Sequence, residues 1–442
     1  MKNYFDYLGI FIQLTKDPTL AGMEFFMANL DNPHKKFKSV HVAGTNGKGS
    51  VVESVASVLE TAGLRVGKFI SPYLTKFNEY ISINGTLITD EECENYINIL
   101  KPLVDKYREM GNEVKYFELV TTMAYMHFAK NKVDIAVVEV GMGGTYDCTN
   151  VITPLVSLIT RIDFDHKEVL GMTIEEIAGN KAGIIKQGVP VVTTNFKESL
   201  RVIADKAKKE NAPLSRIMSK DVEVSNMRYG QQMKVIYKGK SYNTSLKGRH
   251  QGTNTALALE CFGKLNAQGF NITHEHIDKG LRNVNHPARF ETMSEKPLII
   301  FDGAHNPNSF RVFMQNIEDY YKDKPKNKVF VMSILSRKDK DENMSVLAKY
   351  LPRNSTIIFC DVGGSSDFHS GVDLQNAYLK CDTKQKRTDG NVTVRAGHSK
   401  TLVADFDSAM QNVVNSNSTD TVTFVVGTFK TYAQTKEAIN AR

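Results

Sequence analysis

Apolar and polar positions along this chain fall into two successive alternations of short β-branched runs with helical periods. "KSVHVAG" (38–44) reads as a buried strand closing on glycine. "GSVVESVASVLETAGL" (49–64) then sets Val52, Val55, Val58 and Leu59 at helical spacing. "RVGKFI" (65–70), "VDIAVVEVG" (133–141) and "TPLVSLITRID" (153–163) read as further strands, and "YFELVTTMAYMHFAK" (116–130) as a helix. Strands alternating with helices predict a parallel sheet covered on both faces. Between 222 and 246 the pattern alternates around turn signals, which predicts antiparallel hairpins as a small annex. Helices are expected near 250–267 and 274–283. A second alternation begins after "SEKP" (294–297): "LIIFDG", a helix near 307–319, "KVFVMSIL", a helix near 340–350, "STIIFCDV", a helix near 400–414 and "TVTFVVG". The expected fold class is α/β. An N-terminal P-loop-type domain with a mostly parallel sheet and an antiparallel annex (1–293) precedes a C-terminal Rossmann-like α/β domain (294–442). The stretch 362–398, rich in Gly, Ser, Asp and Lys, is read as a long loop.

Composition narrows the class. A chain of 442 residues has room for two domains, and 41% hydrophobic with 24% charged residues is an ordinary soluble balance. The five cysteines (Cys93, Cys148, Cys261, Cys360, Cys381) are scattered without a C-x-x-C pair. That argues against a disulfide framework or a zinc site and fits a reducing cytoplasm. The N-terminal "MKNYFDYLGIFIQLTK" reads as an amphipathic helix rather than a signal peptide, and no apolar run reaches membrane-spanning length. A net charge of +7 serves solubility and also suits a small polyanion such as a nucleotide. The lysines are dispersed, which argues against nucleic acid. Small-molecule partners, no membrane contact and a monomer are expected.

The candidate chemistry starts at "HVAGTNGKGSVV" (41–52). The common phosphate loop is G-x-x-x-x-G-K-[ST]. Here Gly47 and Lys48 match its second half, Val42 stands where the first glycine belongs, and the hydroxyl arrives one residue late, at Ser50. Gly44, Gly47 and Gly49 permit a tight turn that brings successive N–H groups onto one anion. Lys48 adds charge for the β- and γ-phosphates, and Ser50 offers a hydroxyl to Mg²⁺. Glu139 ends a hydrophobic strand, where a carboxylate either binds Mg²⁺ or caps the following turn. "RIDFDHKEVLGMTIEEIAGNKAGIIKQG" (161–188) carries Asp163, Asp165, His166, Lys181 and Lys186. His166 ends a strand of the same sheet and is a metal-ligand candidate. Lys181 precedes apolar "AGII". Standing alone it reads first as an ordinary exposed lysine, but a desolvated amine could take up carbon dioxide as a carbamate. In the second half Asp302 and His305, in "IIFDGAHNPNS", form another strand-end polar pair. Two such domains suggest a cleft closing over an ATP-driven reaction.

In order along the chain, "HVAGTNGKGSV", "SPYL…FNEYISINGTLI", "FELVTTMAYMHFA", "VVEVGMGGTYDCTNV", "NKAGIIKQGVPVV", "HQGTNTALAL", "HPARFE" and "FDGAHNPNS" resemble the motifs of folylpolyglutamate synthases and bifunctional dihydrofolate synthase/folylpolyglutamate synthases, of the Mur ligase superfamily. The resemblance implies an ATP-dependent acid–amino-acid ligase that joins L-glutamate to a reduced folate, with dihydropteroate as a second acceptor, through an acyl phosphate. It implies that Gly44, Thr45, Asn46, Gly47, Lys48, Gly49 and Ser50 cradle ATP. Ser71, Glu139 and His166, with Ser50, would hold two Mg²⁺ ions together with a carbamoylated Lys181. His250, Gln251 and Asn254 would lie near the nucleotide, Arg289 would contact phosphate, and Asp302 and His305 would complete the active site. Phe117, Thr121 and Asp147 would border the pterin. The chain departs from the family pattern at Tyr73 and Tyr80, in "RIDFDH" and in the tail "VVGTFKTY". Two other readings stand beside this one: another Mur-type amino-acid ligase with a different carboxylate acceptor, and a non-catalytic nucleotide-binding protein.

Overall fold

The computed structural model describes residues 4–11, 19–165, 167–322, 324–363, 366–384 and 399–442. They form two α/β units. One comprises Met1–Val224, Lys234–Ser245 and Gln251–Asn285; the other comprises Ser225–Met233, Leu246–His250 and His286–Arg442.

The first unit is built on eight strands: β1 Lys38–Ala43, β2 Val66–Phe69, β3 Ile81–Ile83, β4 Thr86–Leu87, β5 Ile135–Glu139, β6 Val156–Ile159, β7 Val191–Thr193 and β8 Leu214–Arg216. Their order is β4-β3-β2-β5-β1-β6-β7-β8, parallel from β2 to β8, with β3 and β4 antiparallel at one edge. All five residues of β5 are buried, as a strand covered on both faces requires. The chain leaves β1 toward β2 on one side and later returns to β6 on the other. The carboxyl end of β1 is therefore a topological switch point, where α/β sheets place their ligands. Register aligns the strand ends, because Val42 pairs with Glu139 and Ala43 with Ile159. The annex follows as β9 Val222–Ser225, β10 Met233–Tyr237 and β11 Lys240–Thr244, ordered β11-β10-β9. Lys238 and Gly239, with φ of 49° and 71°, join β10 to β11 in the two-residue turn whose twist suits a hairpin.

The second unit carries β12 Glu291–Glu295, β13 Leu298–Asp302, β14 Asn327–Met332, β15 Ser355–Asp361, β16 Lys400–Asp405 and β17 Thr421–Val426. The order is β12-β13-β17-β14-β15-β16, with only β12 antiparallel. Its core is aromatic: the Phe424 ring lies 5.3 Å from Phe330 and 5.7 Å from Phe313, centroid to centroid.

Two expectations need correction, and a third falls partly outside the described residues. The helix expected near 400–414 begins only at Phe406, because Lys400–Asp405 is the edge strand β16 and Asp405 caps the helix by accepting from the Ser408 amide at 3.0 Å. An edge strand exposed on most of its residues lacks the apolar run that marks a central one. The loop expected over 362–398 contains a helix, Gly371–Lys384. Leu374, Ala377 and Tyr378 give it a buried face at i, i+3, i+4, and the Ser370 hydroxyl accepts from the Asp373 amide at its start. Residues 385–398 lie outside the described residues. Of the expected N-terminal helix, Tyr4–Leu8 is helical, and residues 1–3 and 12–18 lie outside the described residues.

Candidate active site

The loop after β1 is held open by its glycines. Gly44 has φ of +145°, and a Cβ there would sit 1.8 Å from the Thr160 hydroxyl. Gly47, with φ of +93°, precedes the helix Lys48–Thr61, and a Cβ there would meet the Asn254 carboxamide at 2.7 Å. The Thr45 and Asn46 amides donate to the Arg161 carbonyl at 3.0 and 3.3 Å, and the Thr45 hydroxyl donates to the Asp163 carbonyl at 3.0 Å. Thr45 and Asn46 thus pin the loop to the segment after β6. With those two amides engaged, the free donors at this end are those of the first turn of the helix, whose N–H groups have no intrahelical acceptors and suit an anion. The Asn46 Nδ2 donor is buried and has no acceptor among the described residues. Gln251 donates to the Ser50 hydroxyl at 3.1 Å and Asn254 donates to Gln251 at 2.9 Å, so these two side chains brace the loop from the helix Arg249–Asn266. We expect Gly44→Ala to lower stability by about 2–4 kcal/mol, from left-handed strain together with overpacking. Thermal unfolding measures it, and an unchanged melting temperature would contradict this reading of the loop.

Two lysines converge beside the loop. Lys48 Nζ donates to the Gly44 carbonyl at 3.3 Å and lies 4.0 Å from Glu139 Oε1. Lys181 Nζ donates to the same carbonyl at 2.9 Å. The sequence alone read Lys181 first as exposed, but it is only 4% exposed. Burial, reinforced by the Lys48 charge, pushes its amine down to about 7. Its place is set by packing: a Cβ on Gly144 would lie 2.9 Å from the Lys181 Cα, and one on Gly183 would strike Thr145. Glu139 is buried at the end of β5 and accepts from the Ser71 amide at 3.1 Å. Ser50, Ser71 and Glu139 are hard oxygen groups, a donor set that fits Mg²⁺. Among the described residues no three His, Cys, Asp or Glu side chains cluster as a metal site, and His166 lies outside the described residues.

The loop 141–150 faces an aromatic group. A Cβ on Gly141 would collide with the Phe117 ring at 2.6 Å. Phe117 lies 5.6 Å from Phe69 and 6.4 Å from Tyr80, and Tyr80 lies 5.3 Å from Tyr73. The two tyrosines that depart from the family pattern therefore join one aromatic cluster with Phe117. Thr121 is fully buried and its hydroxyl has no partner among the described residues. Asp147 is also buried, and both its oxygens are engaged inside the loop: Met142 N donates to Oδ2 at 2.9 Å, and Thr149 N and the Thr149 hydroxyl donate to Oδ1. Lys186 donates to the Asn150 carbonyl at 2.9 Å and closes the same loop. Thr160, Arg161, Asn180 and Thr149 were not singled out from sequence. None is unusual in type, and only the fold brings them to the site. At the opposite, amino end of the strands a cavity of about 530 Å³ is lined by Arg65, Asn84, Glu92, His127, Asn131 and Asp134. Several of these groups bond one another or nearby backbone.

In the second unit Asp302 accepts from the Phe290 and Ala304 amides, both at 2.8 Å. Burial pushes its carboxyl up to about 6 against the pull of Arg289. The Arg289 guanidinium lies 4.3 Å over the Phe429 ring, and the His305 ring lies 5.6 Å from it. His305 Nδ1 donates to the Gly303 carbonyl at 2.7 Å. Gly303 has no room for a side chain, because a Cβ would sit 1.7 Å from Phe429. Burial, with the Arg289 charge nearby, lowers His250 to about 4.

Residues 42–262 match the Mur ligase middle domain and residues 288–429 the Mur ligase glutamate ligase domain. A dihydrofolate synthase/folylpolyglutamate synthase of Bacillus subtilis is 42% identical over 299 residues, covering 65% of this chain and 69% of that protein. The crystal structure of a Thermotoga maritima folylpolyglutamate synthase superposes with a TM-score of 0.80 at 28% identity, over 99% of this chain and 96% of the other. A Mycobacterium tuberculosis folylpolyglutamate synthase complexed with ADP superposes with a TM-score of 0.80 at 26% identity, over 98% and 97%. On this footing the chain belongs to the folylpolyglutamate synthase and dihydrofolate synthase family of Mur ligases.

Proposed function

We propose that this protein is an ATP-dependent ligase that joins L-glutamate to a reduced folate, with dihydropteroate as a second acceptor. The observation that carries the reading is the pair of lysines on the Gly44 carbonyl beside Glu139, at the open end of the sheet. A carboxylate and an amine do not condense unaided in water. Transfer of the γ-phosphoryl group to the acceptor carboxylate forms an acyl phosphate and releases ADP. The glutamate amine then attacks the acyl carbon, a proton leaves the nitrogen, and phosphate departs with the electrons of the broken C–O bond.

Each residue has a part in that scheme. The Lys48 ammonium offsets charge on the transferring phosphoryl oxygens, and the helix N-terminus at Gly47–Ser50 holds the phosphates. Ser50, Ser71 and Glu139, with His166 and a carbamate on Lys181, would hold Mg²⁺, which supplies charge neutralisation on the nucleotide. Asn254 and Arg289 are assigned to the nucleotide, and Asp302 and His305 to the nucleotide and catalysis, on the match of their motifs. Phe117 and Thr121 are assigned to the pterin, with the unpartnered Thr121 hydroxyl and the neighbouring aromatic rings in support. Asp147 is assigned to the same acceptor through its loop, whose Gly141 lies against Phe117. The proposed compartment is the cytoplasm, which suits five cysteines without a C-x-x-C pair.

Glutamate-dependent ADP release, measured with each acceptor at matched concentrations, tests the assignment. Turnover is expected with a reduced folate and with dihydropteroate. Turnover with dihydropteroate alone would overturn the main assignment. Turnover with neither would point to a Mur-type ligase for a different carboxylate.

A further inference from the structure

His41 is a polar residue in the middle of β1 with no exposed surface. Its Nε2 lies 2.8 Å from the Thr149 hydroxyl, and its Nδ1 is buried with no partner among the described residues. Thr149 sits in the short helical turn Cys148–Val151, and its hydroxyl also lies against Asp147 Oδ1. Three polar groups from two distant parts of the chain thus form one buried line.

Hydrogen-bond accounting gives that line a direction. Burial, with the Lys186 charge adding to it, pushes His41 down to about 3, so its ring is neutral and carries a single N–H. A proton on Nδ1 would be a buried donor without an acceptor, which is the costly case. With the proton on Nε2, His41 donates to Thr149 and leaves only a bare lone pair at Nδ1. Thr149, having accepted, can point its own hydrogen only at Asp147. Burial raises the Asp147 carboxyl, and the Met142 amide, the Thr149 hydroxyl and the Thr149 and Gly141 amides pull it back; with amides donating to both its oxygens, Asp147 is the acceptor that ends the chain. The opposite order would leave a buried N–H unsatisfied and take the Thr149 hydroxyl donor away from Asp147.

We infer that His41 and Thr149 are positioning residues whose one-way hydrogen-bond relay, His41 Nε2–H to Thr149 Oγ1–H to Asp147 Oδ1, fixes the loop 141–150 against Phe117. Asp147 transmits the constraint. Its second oxygen holds the Met142 amide at 2.9 Å and would lie 3.3 Å from a Cβ on Gly141, the residue that touches Phe117. The Tyr125 hydroxyl clamps the other side of the turn by donating to the Thr149 carbonyl at 2.9 Å. The relay thereby ties β1, which leads into the phosphate loop, to the wall beside Phe117. Its catalytic meaning rests on the proposal above that this wall borders the pteroyl acceptor.

The test compares Thr149→Val, which keeps the shape and deletes the hydroxyl, with Thr149→Ser, which restores it. KM is measured separately for acceptor, ATP and glutamate, alongside thermal unfolding. Thr149→Val is expected to raise the acceptor KM about tenfold while the ATP KM moves less than about twofold, and Thr149→Ser to recover most of the loss. A parallel change in all three KM values, or no rescue by serine, would overturn the relay, because a merely structural role affects every substrate together. Should Thr149→Val not fold, nitrogen-15 NMR of histidine-labelled wild-type protein decides the direction. Nε2 of His41 is expected to be protonated and Nδ1 bare from about pH 5 to 9. A proton on Nδ1 would overturn the proposal. Failure of the functional reading shows separately, as wild-type protein that ligates no pteroyl acceptor.

Discussion

Lys48→Ala is expected to cut kcat by at least about a thousandfold while the protein remains folded. Phosphoryl transfer requires little covalent chemistry from the protein, so its rate depends on charge placed where the transition state carries it. Lys48 opens the helix that follows the glycine loop, and its ammonium lies between the Gly44 carbonyl and Glu139. Lys48 stands near the buried Glu139 carboxylate, whose charge it offsets. A cation at a helix N-terminus opposes the helix dipole, and this one also disfavours the charged form of Lys181. Its removal relieves the helix end and Lys181 but leaves Glu139 without this cation, so the opposing effects should move the melting temperature by only roughly a few degrees. Single-turnover ADP formation and thermal unfolding on the same sample separate chemistry from folding. A folded variant with near wild-type turnover would remove Lys48 from the site.

Lys181→Ala is expected to be as damaging, and Lys181 carries a pH signature. The carbamate forms when the neutral amine attacks carbon dioxide, making an N–C bond and releasing one proton. Burial brings the amine to about 7, so the reactive form should become abundant as pH rises through neutrality. Activity after carbon dioxide removal should fall and return with bicarbonate. In Lys181→Ala a short carboxylate such as acetate should restore part of the activity by replacing the missing anion. Fully active enzyme with an unmodified Lys181 in electron density would end the carbamate proposal.

The stability effect of the bare amine has a definite sign. Its folded value lies below the ordinary lysine value of 10.5, so between the two the unfolded chain binds more protons than the folded one. Folding stability from this group therefore rises with pH across that window. Below about 7 the group is charged in both states and its full desolvation cost remains. Lys181→Met, which keeps the volume, should stabilise the protein most near pH 6 and progressively less toward pH 10. Urea unfolding of carbon dioxide-free samples measures the difference.

Much of the architecture was legible in the chain. The central strands of both sheets are largely apolar runs, interrupted in β1 by Ser39 and His41, and helix 116–130 was placed to the residue. The strands that escaped are β3, β4, β7, β8, β12 and β16, which are short, lie at or near sheet margins, or are partly polar. Helix Gly371–Lys384 escaped because its buried face is narrow and lies among turn-forming residues.

The sequence by itself determined the two α/β units, the glycine loop between a strand and a helix, and the set of chemical groups at the ends of the strands. Those features are local: a β-branched run, a helical period and a glycine each impose their geometry on a few neighbours. Tertiary structure alone decided what those groups do to one another. It buried Lys181 and brought its amine to the Gly44 carbonyl, 137 residues away in sequence. It bound the Thr45 and Asn46 amides to Arg161, which leaves the anion to the helix N-terminus. It closed His41, Thr149 and Asp147 into one line. Burial and hydrogen-bond partnership set the charge and the donor direction of each group. Both depend on contacts between segments far apart in the chain, which no local pattern encodes.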